Sequence, residues 1–193
     1  MRKGCSTFIL IITIWATLCI AVKEAFSYEA NGLHPINPIF SYDPTGSNID
    51  AGLLVAEGVN AWNGITTALT VRLTSASGTA NLCDTGKLDG YNTISWGYNT
   101  LGYLAITCWN LRTGECDILI SPNYEPADLR QIVAHEVGHC LGLNHSADSN
   151  ALMWPTIPLN APPVLLPQAD DRNGVCAVYG GCYHAYASVN YDN

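Results

Sequence analysis

The sequence predicts a single α+β domain, and three observations predict it. Apolar residues keep helical spacing from Leu129 to Leu141, and this stretch carries His135, Glu136 and His139. Five short segments read as strands, three of them in the middle of the chain. Two further stretches, Ile49 to Trp62 and Asp170 to Tyr179, read as helices.

The chain begins with the basic Met1-Arg2-Lys3 and an apolar run from Phe8 to Val22. That run is short of the about 20 residues a membrane span needs. With the small residues of Ala25-Phe26-Ser27 behind it, the segment 1–27 reads as a secretory signal peptide cleaved before Tyr28. The protein is therefore expected outside the cell or in the periplasm, with no membrane insertion after cleavage. Residues 28–181 form the expected domain, and 182–193 form a tail without a motif. Its His184 is not expected to be a ligand. Removing the signal takes the net charge from −8 to −10. Such a surface does not attract nucleic acid or anionic membrane. The length suits one domain with its own core, and a monomer is expected.

Pro38 to Tyr42 is the first expected strand. The turn Asp43 to Asn48 ends in helix-capping residues. Ile49, Leu53, Ala56, Val59 and Trp62 then keep helical spacing, and Gly64 closes that helix. Leu69, Val71 and Leu73 alternate with polar residues, as in a half-buried strand. Asn81 to Tyr91 is polar and reads as a loop, in which Asp84 and Asp89 are candidates for calcium. Asn92 to Trp96, Leu101 to Trp109 and Cys116 to Ser121 are the remaining strands.

Pro126 fits the first turn of the next helix, and Asp128 suits its positive end. Leu129, Ile132, Val133, Val137 and Leu141 would face the core. Gly138 inside this helix costs about 1 kcal/mol relative to Ala, so another backbone is expected close by. Five prolines from Pro155 to Pro167 mark a loop. Asp170 and Asp171 then favour the start of the last helix.

Six cysteines follow the signal: Cys83, Cys108, Cys116, Cys140, Cys176 and Cys182. An even number in an exported chain suggests disulfides. Cys108 and Cys116 flank the turn-like Asn110 to Gly114, which makes a hairpin staple the best single guess. Cysteine ligation of zinc would call for paired C-x-x-C units, and the spacings do not form them.

The chemistry centres on His135-Glu136-Val137-Gly138-His139-Cys140-Leu141-Gly142-Leu143-Asn144-His145. Residues four apart share a helix face, so His135 and His139 can hold one zinc ion with Glu136 beside them. Gly142 can turn the chain and bring His145 back as the third ligand. Zinc sites that do chemistry keep three protein ligands and an open position. A zinc-containing module that binds peptides without cutting them is the alternative, and it leaves Glu136 without a chemical purpose.

This motif with a downstream Met153, in Ala151 to Pro155, resembles the metzincin zinc peptidases. Ser146 and the segment Asp170 to Gly180 resemble the matrixin branch, the matrix-metalloproteinase-like peptidases of family M10. The resemblance runs from about Pro38 to Gly180 and is strongest from Gln131 to Met153. It implies a twisted mixed sheet of about five strands with about three helices. It also implies a secreted zinc endopeptidase in which Glu136 is the general base and Met153 forms a packed floor. The edge strand Gly102 to Ile106, with Leu104 and Ala105, would hold an extended peptide or protein substrate. Pro155 and Ile157 would contact the substrate from the opposite side. The pocket beyond the cut would be walled by the helix around Val133 and His135 and by the loop from Met153 to Pro163. Trp154, Ile157, Leu159 and Val164 would supply its side chains. A tyrosine common in this loop is replaced here by Ile157. The acidic pair would tie the last helix to the methionine turn and the N-terminus. No histidine lies between His34 and His135, so a second structural zinc is not expected. In this the chain resembles the simpler microbial members. No cysteine lies between the expected cleavage site and the first strand, so activity is expected without a further N-terminal cut.

Overall fold

The computed structural model describes residues 30–75, 81–98, 101–122, 128–157 and 162–182. The signal segment, Pro126, Leu159 and His184 lie outside the described residues. The described residues form five strands: β1 (Ile39–Tyr42), β2 (Arg72–Thr74), β3 (Asn92–Trp96), β4 (Ala105–Trp109) and β5 (Cys116–Ile120). The helices are α1 (Gly52–Asn60), α2 (Leu82–Thr85), α3 (Leu129–Cys140) and α4 (Ala169–Tyr179).

The strands form one mixed sheet in the order β2-β1-β3-β5-β4. Only the β4–β5 pair is antiparallel. All five residues of β5 are buried, as befits a strand paired on both sides and covered on both faces. Ile118 and Ile120 face the helical layer of α1 and α3, together with Phe40 and Ile94. Asp117 points to the other face and accepts the backbone N–H groups of Leu82 and Thr93, which anchors α2 there. β4 lies at the edge of this sheet and, among the described residues, pairs only with β5.

Three local expectations are corrected. The helix expected from Ile49 begins at Gly52, because the Ser47 hydroxyl bonds Ile49 and shapes a loop instead of capping. The strand expected from Leu69 starts at Arg72, although Leu69 and Val71 are buried. The expected loop Asn81 to Tyr91 contains α2. Asn81 caps it by accepting from Cys83 N, and Gly86 ends it in the left-handed conformation.

The hairpin staple between Cys108 and Cys116 is also corrected. The disulfides are Cys83–Cys108, Cys116–Cys140 and Cys176–Cys182. Register is the reason: Cys108 lies opposite Asp117, and Cys116 lies opposite Trp109. Successive residues of a strand project to opposite faces. Cys108 therefore meets α2, whereas Cys116 meets the end of α3.

Gly138 does permit a close approach, but by side chains. A Cβ there would overlap Met153 Sδ and Trp62 Cζ2. Trp62 is fully buried and donates from Nε1 to the Ala134 carbonyl at 2.8 Å, so it has little freedom to withdraw. Overpacking of this kind costs about 1–3 kcal/mol, more than the about 1 kcal/mol alanine gains in helix propensity. Gly138→Ala is therefore expected to lower the urea midpoint of unfolding. A midpoint at or above that of the wild type would mean that Trp62 and Met153 yield freely.

Candidate active site

The site begins with the way α3 ends. Gly142 takes φ +97°, a conformation that L side chains rarely adopt. Its N–H bonds the His139 carbonyl at 3.0 Å, and Leu143 N bonds the Gly138 carbonyl at 3.1 Å. These two bonds make a Schellman turn, which satisfies carbonyls at the helix end and reverses the chain. A Cβ at Gly142 would also collide with the Leu33 carbonyl. The reversal carries His145 back to the face that bears His135 and His139.

The three histidines converge. Their ligand nitrogens lie within 4.8 Å of one another, and the ring centroids are 4.9–5.3 Å apart. His135 Nδ1 is 2.8 Å from the Leu152 carbonyl, and His139 Nδ1 is 2.8 Å from the Leu143 carbonyl. A carbonyl can only accept, so both Nδ1 atoms carry the proton and both Nε2 atoms keep a lone pair for a metal. Burial pushes His135 down to about 4, with the Leu152 carbonyl opposing and His145 adding. Burial likewise pushes His139 down to about 4, opposed by Glu136 and the Leu143 carbonyl. Two oriented, neutral imidazoles with a third beside them fit zinc. The histidines are the one such group among the described residues; Asp84 and Asp89 do not gather into another.

Glu136 follows His135 and is 8% exposed. Burial raises its carboxyl above the ordinary range, while His139 and the Thr107 hydroxyl pull it down. That hydroxyl, on β4, donates to Glu136 Oε2.

A second helix holds the turn on which His135 leans. Asp171 of α4 is 1% exposed. Its carboxylate accepts from Leu152 N at 2.7 Å, Met153 N at 2.9 Å and Gln168 N at 2.7 Å. The Ser146 hydroxyl donates to Asp170 Oδ2 at 2.6 Å. The acidic pair thus holds the methionine turn directly through Asp171 and, through Asp170, the Ser146 that bonds its Met153 carbonyl. Met153 is buried against Gly138, and Ser146 N bonds its carbonyl.

These groups open onto a cleft of about 860 Å³. Leu104 and Ala105 line it from the β4 side; Trp154, Pro155 and Ile157 line it from the other. Only Ala105 and Ile106 of the expected edge segment 102–106 are strand, although Leu104 extends the pairing through its carbonyl to Ser121 N. Val133 is corrected as a pocket wall. It is fully buried against α1, where a Cβ on Gly58 would lie 2.7 Å from its own. Val164 is not a lining residue either; its N–H bonds Gln131 Oε1 at 3.0 Å.

Three residues that serve the site carry no signal in the motif. Thr107 is one. Gln131, one helical turn before His135, lines the cleft. Asn31 donates from Nδ2 to the His139 carbonyl at 2.8 Å and to that of Leu143 at 3.4 Å, across more than a hundred residues of chain. The 3.6-residue period could have placed Gln131 on the histidine face. Nothing local could have found the other two.

Comparison with known proteins agrees with this geometry. The chain is 44% identical over 64 residues to Metalloendoproteinase 1 of Glycine max, covering 33% of this chain and 21% of that protein. It is 38% identical over 73 residues to Metalloendoproteinase 5-MMP of Arabidopsis thaliana, covering 38% and 20%. It is 45% identical over 58 residues to the interstitial collagenase of Sus scrofa, covering 30% and 12%. The matched part thus spans about a fifth or less of these curated relatives. The model of the family described as Matrixin matches residues 62–180, which include α3, the three histidines, the methionine turn and α4. With more than half of the chain matched, and with the histidines, Glu136, Met153 and Asp171 all inside that match, the chain belongs to the matrixin family.

Proposed function

We propose that the chain is a secreted zinc-dependent endopeptidase with Glu136 as general base. The observation that carries this reading is the convergence of His135, His139 and His145 beside a buried Glu136 on the floor of the cleft. The three histidines would hold one zinc. When bound, zinc supplies Lewis acidity that makes water more acidic and a carbonyl more electrophilic.

The chain's own groups do the rest. The outer edge of β4 pairs with an extended peptide by backbone hydrogen bonds, which carry little sequence information. Pro155 and Ile157 confine the peptide from the facing wall. Glu136 takes one proton from water as the water oxygen adds to the scissile carbonyl carbon. It returns a proton to the amine nitrogen as the C–N bond breaks, so carboxylate and amine products leave with the water's atoms shared between them. Three disulfides among the described residues support export to an oxidising compartment. The test is zinc content together with cleavage of an unstructured protein, with and without chelator. One zinc per chain and chelator-sensitive cleavage are expected; a zinc-free protein, or cleavage indifferent to chelator, would refute the reading.

Preference should rest on the pocket beyond the cut. Ile132, Trp154 and Ile157 present apolar surface to the cleft, and among the described residues no lysine or arginine lines it. Burying a leucine-sized group is worth about 1.5–3 kcal/mol. A hydrophobic residue directly after the scissile bond is therefore expected when cleavage sites are mapped on a mixed peptide library. A dominant acidic or basic residue there would remove the pocket assignment and leave the zinc chemistry standing.

A further inference from the structure

A carboxylate that must take a proton from one place and deliver it to another has two oxygens. Glu136 sits in a wall where they are not equivalent. Thr107 is the middle residue of β4, opposite Ile118 of β5. On a strand its side chain shares a face with Ala105 and Trp109, and all three line the cleft. Its hydroxyl donates to Glu136 Oε2 and lies 3.3 Å from the Glu136 backbone carbonyl. One hydroxyl carries a single hydrogen and can donate to one acceptor at a time. The shorter bond is to the carboxylate, which is the stronger acceptor. Among the described residues no other hydrogen bond reaches either carboxylate oxygen.

We propose that Thr107 is a positioning residue for the reaction: its hydroxyl holds Oε2 and so turns Oε1 alone toward the proton that moves. A buried side chain with three rotatable bonds is held at one end by α3. The bond from β4 fixes the other. The carboxylate plane is then set by two elements that also carry the histidines and the substrate edge. The same strand binds the peptide backbone and aims the base, so the distance between them is fixed by β4 itself. Preorganisation of this kind acts on the transition state more than on binding, because the ground-state peptide does not need the carboxylate aimed.

This inference rests on the reading of Glu136 as general base, and the experiment separates the two. Thr107→Val keeps the shape and the branched Cβ and removes the hydroxyl; Thr107→Ser keeps the hydroxyl. T107V is expected to lower kcat roughly 10-fold, the range set by charge-assisted hydrogen bonds, with KM, zinc content and Tm unchanged. T107S should recover most of that loss. In a Glu136→Gln background T107V should add nothing, since residues that act through one group are not additive. An independent readout needs no turnover. In infrared difference spectra of the metal-free protein, the carboxyl band that E136Q removes should shift in T107V and stay in place in T107S. Wild-type kcat in T107V while E136Q is inactive would overturn the positioning role alone. So would equal losses in T107V and T107S, or an unmoved band. Full activity in E136Q would overturn the base assignment and this role with it.

Discussion

Replacing Glu136 by alanine is expected to lower peptidase activity by about 10²–10⁴-fold while the fold and the zinc remain. The separation follows from where the residue sits. Glu136 is not among the three converging nitrogens, so zinc keeps its ligands in the variant. Its side chain reaches the cleft and bonds Thr107, and the scaffold does not otherwise depend on it. Burial raises the Glu136 carboxyl, so the folded protein bears a cost for keeping it charged. Alanine removes that cost and leaves only the Thr107 hydroxyl short of a partner, beside its alternative acceptor, the Glu136 carbonyl. Unfolding should therefore occur near the wild-type temperature. The check is kcat/KM on an unstructured substrate, beside metal analysis and thermal melting. Near-wild-type turnover would show that water is deprotonated elsewhere; loss of zinc would show that the carboxylate is structural.

The site was legible in the sequence where chemistry demands a spacing. The four-residue step from His135 to His139 matches the turn of a helix, and Gly142 marks the reversal that its positive φ requires. Those constraints are local, so eleven consecutive residues state them. The five strands were legible too, but their ends were not. Leu69 and Val71 are buried like strand residues, yet pairing with β1 reaches only Arg72 to Thr74. Burial follows from pattern, whereas pairing depends on a partner elsewhere in the chain. The disulfides failed for the same reason. Cys108 and Cys116 are close in sequence, but a register set by the whole β4–β5 pair sends them to opposite faces. Thr107 and Asn31 act on the site only after the sheet and the N-terminal segment have closed around α3, and no local spacing encodes that.

Removing the carboxylate of Asp171 is expected to be the most damaging single change to stability. Asp171→Ala takes away one acceptor group and strands the two buried N–H donors of Leu152 and Met153, together with the partly buried N–H of Gln168. Each buried donor left without a partner costs about 1–3 kcal/mol. Water can satisfy the Gln168 N–H, so a loss of about 2 kcal/mol or more is expected from the two buried donors. Against a total stability of about 5–15 kcal/mol for a domain, that is a large share. The damage should also reach the metal. Leu152 donates its N–H to Asp171 and offers its carbonyl to His135 Nδ1, so one peptide segment links α4 to a zinc ligand. Partners behind a metal ligand are typically worth about 10–100-fold in affinity. Asp171→Asn keeps one acceptor oxygen and turns an amide N–H₂ toward the remaining donors, so its losses should be intermediate. Urea unfolding of the metal-free proteins measures the first effect, and competition with a chelator measures the second. If D171A unfolded at the wild-type urea concentration, the methionine turn would be held by its packing. If it were destabilised yet bound zinc as tightly as the wild type, the Leu152 carbonyl would not be what orients His135.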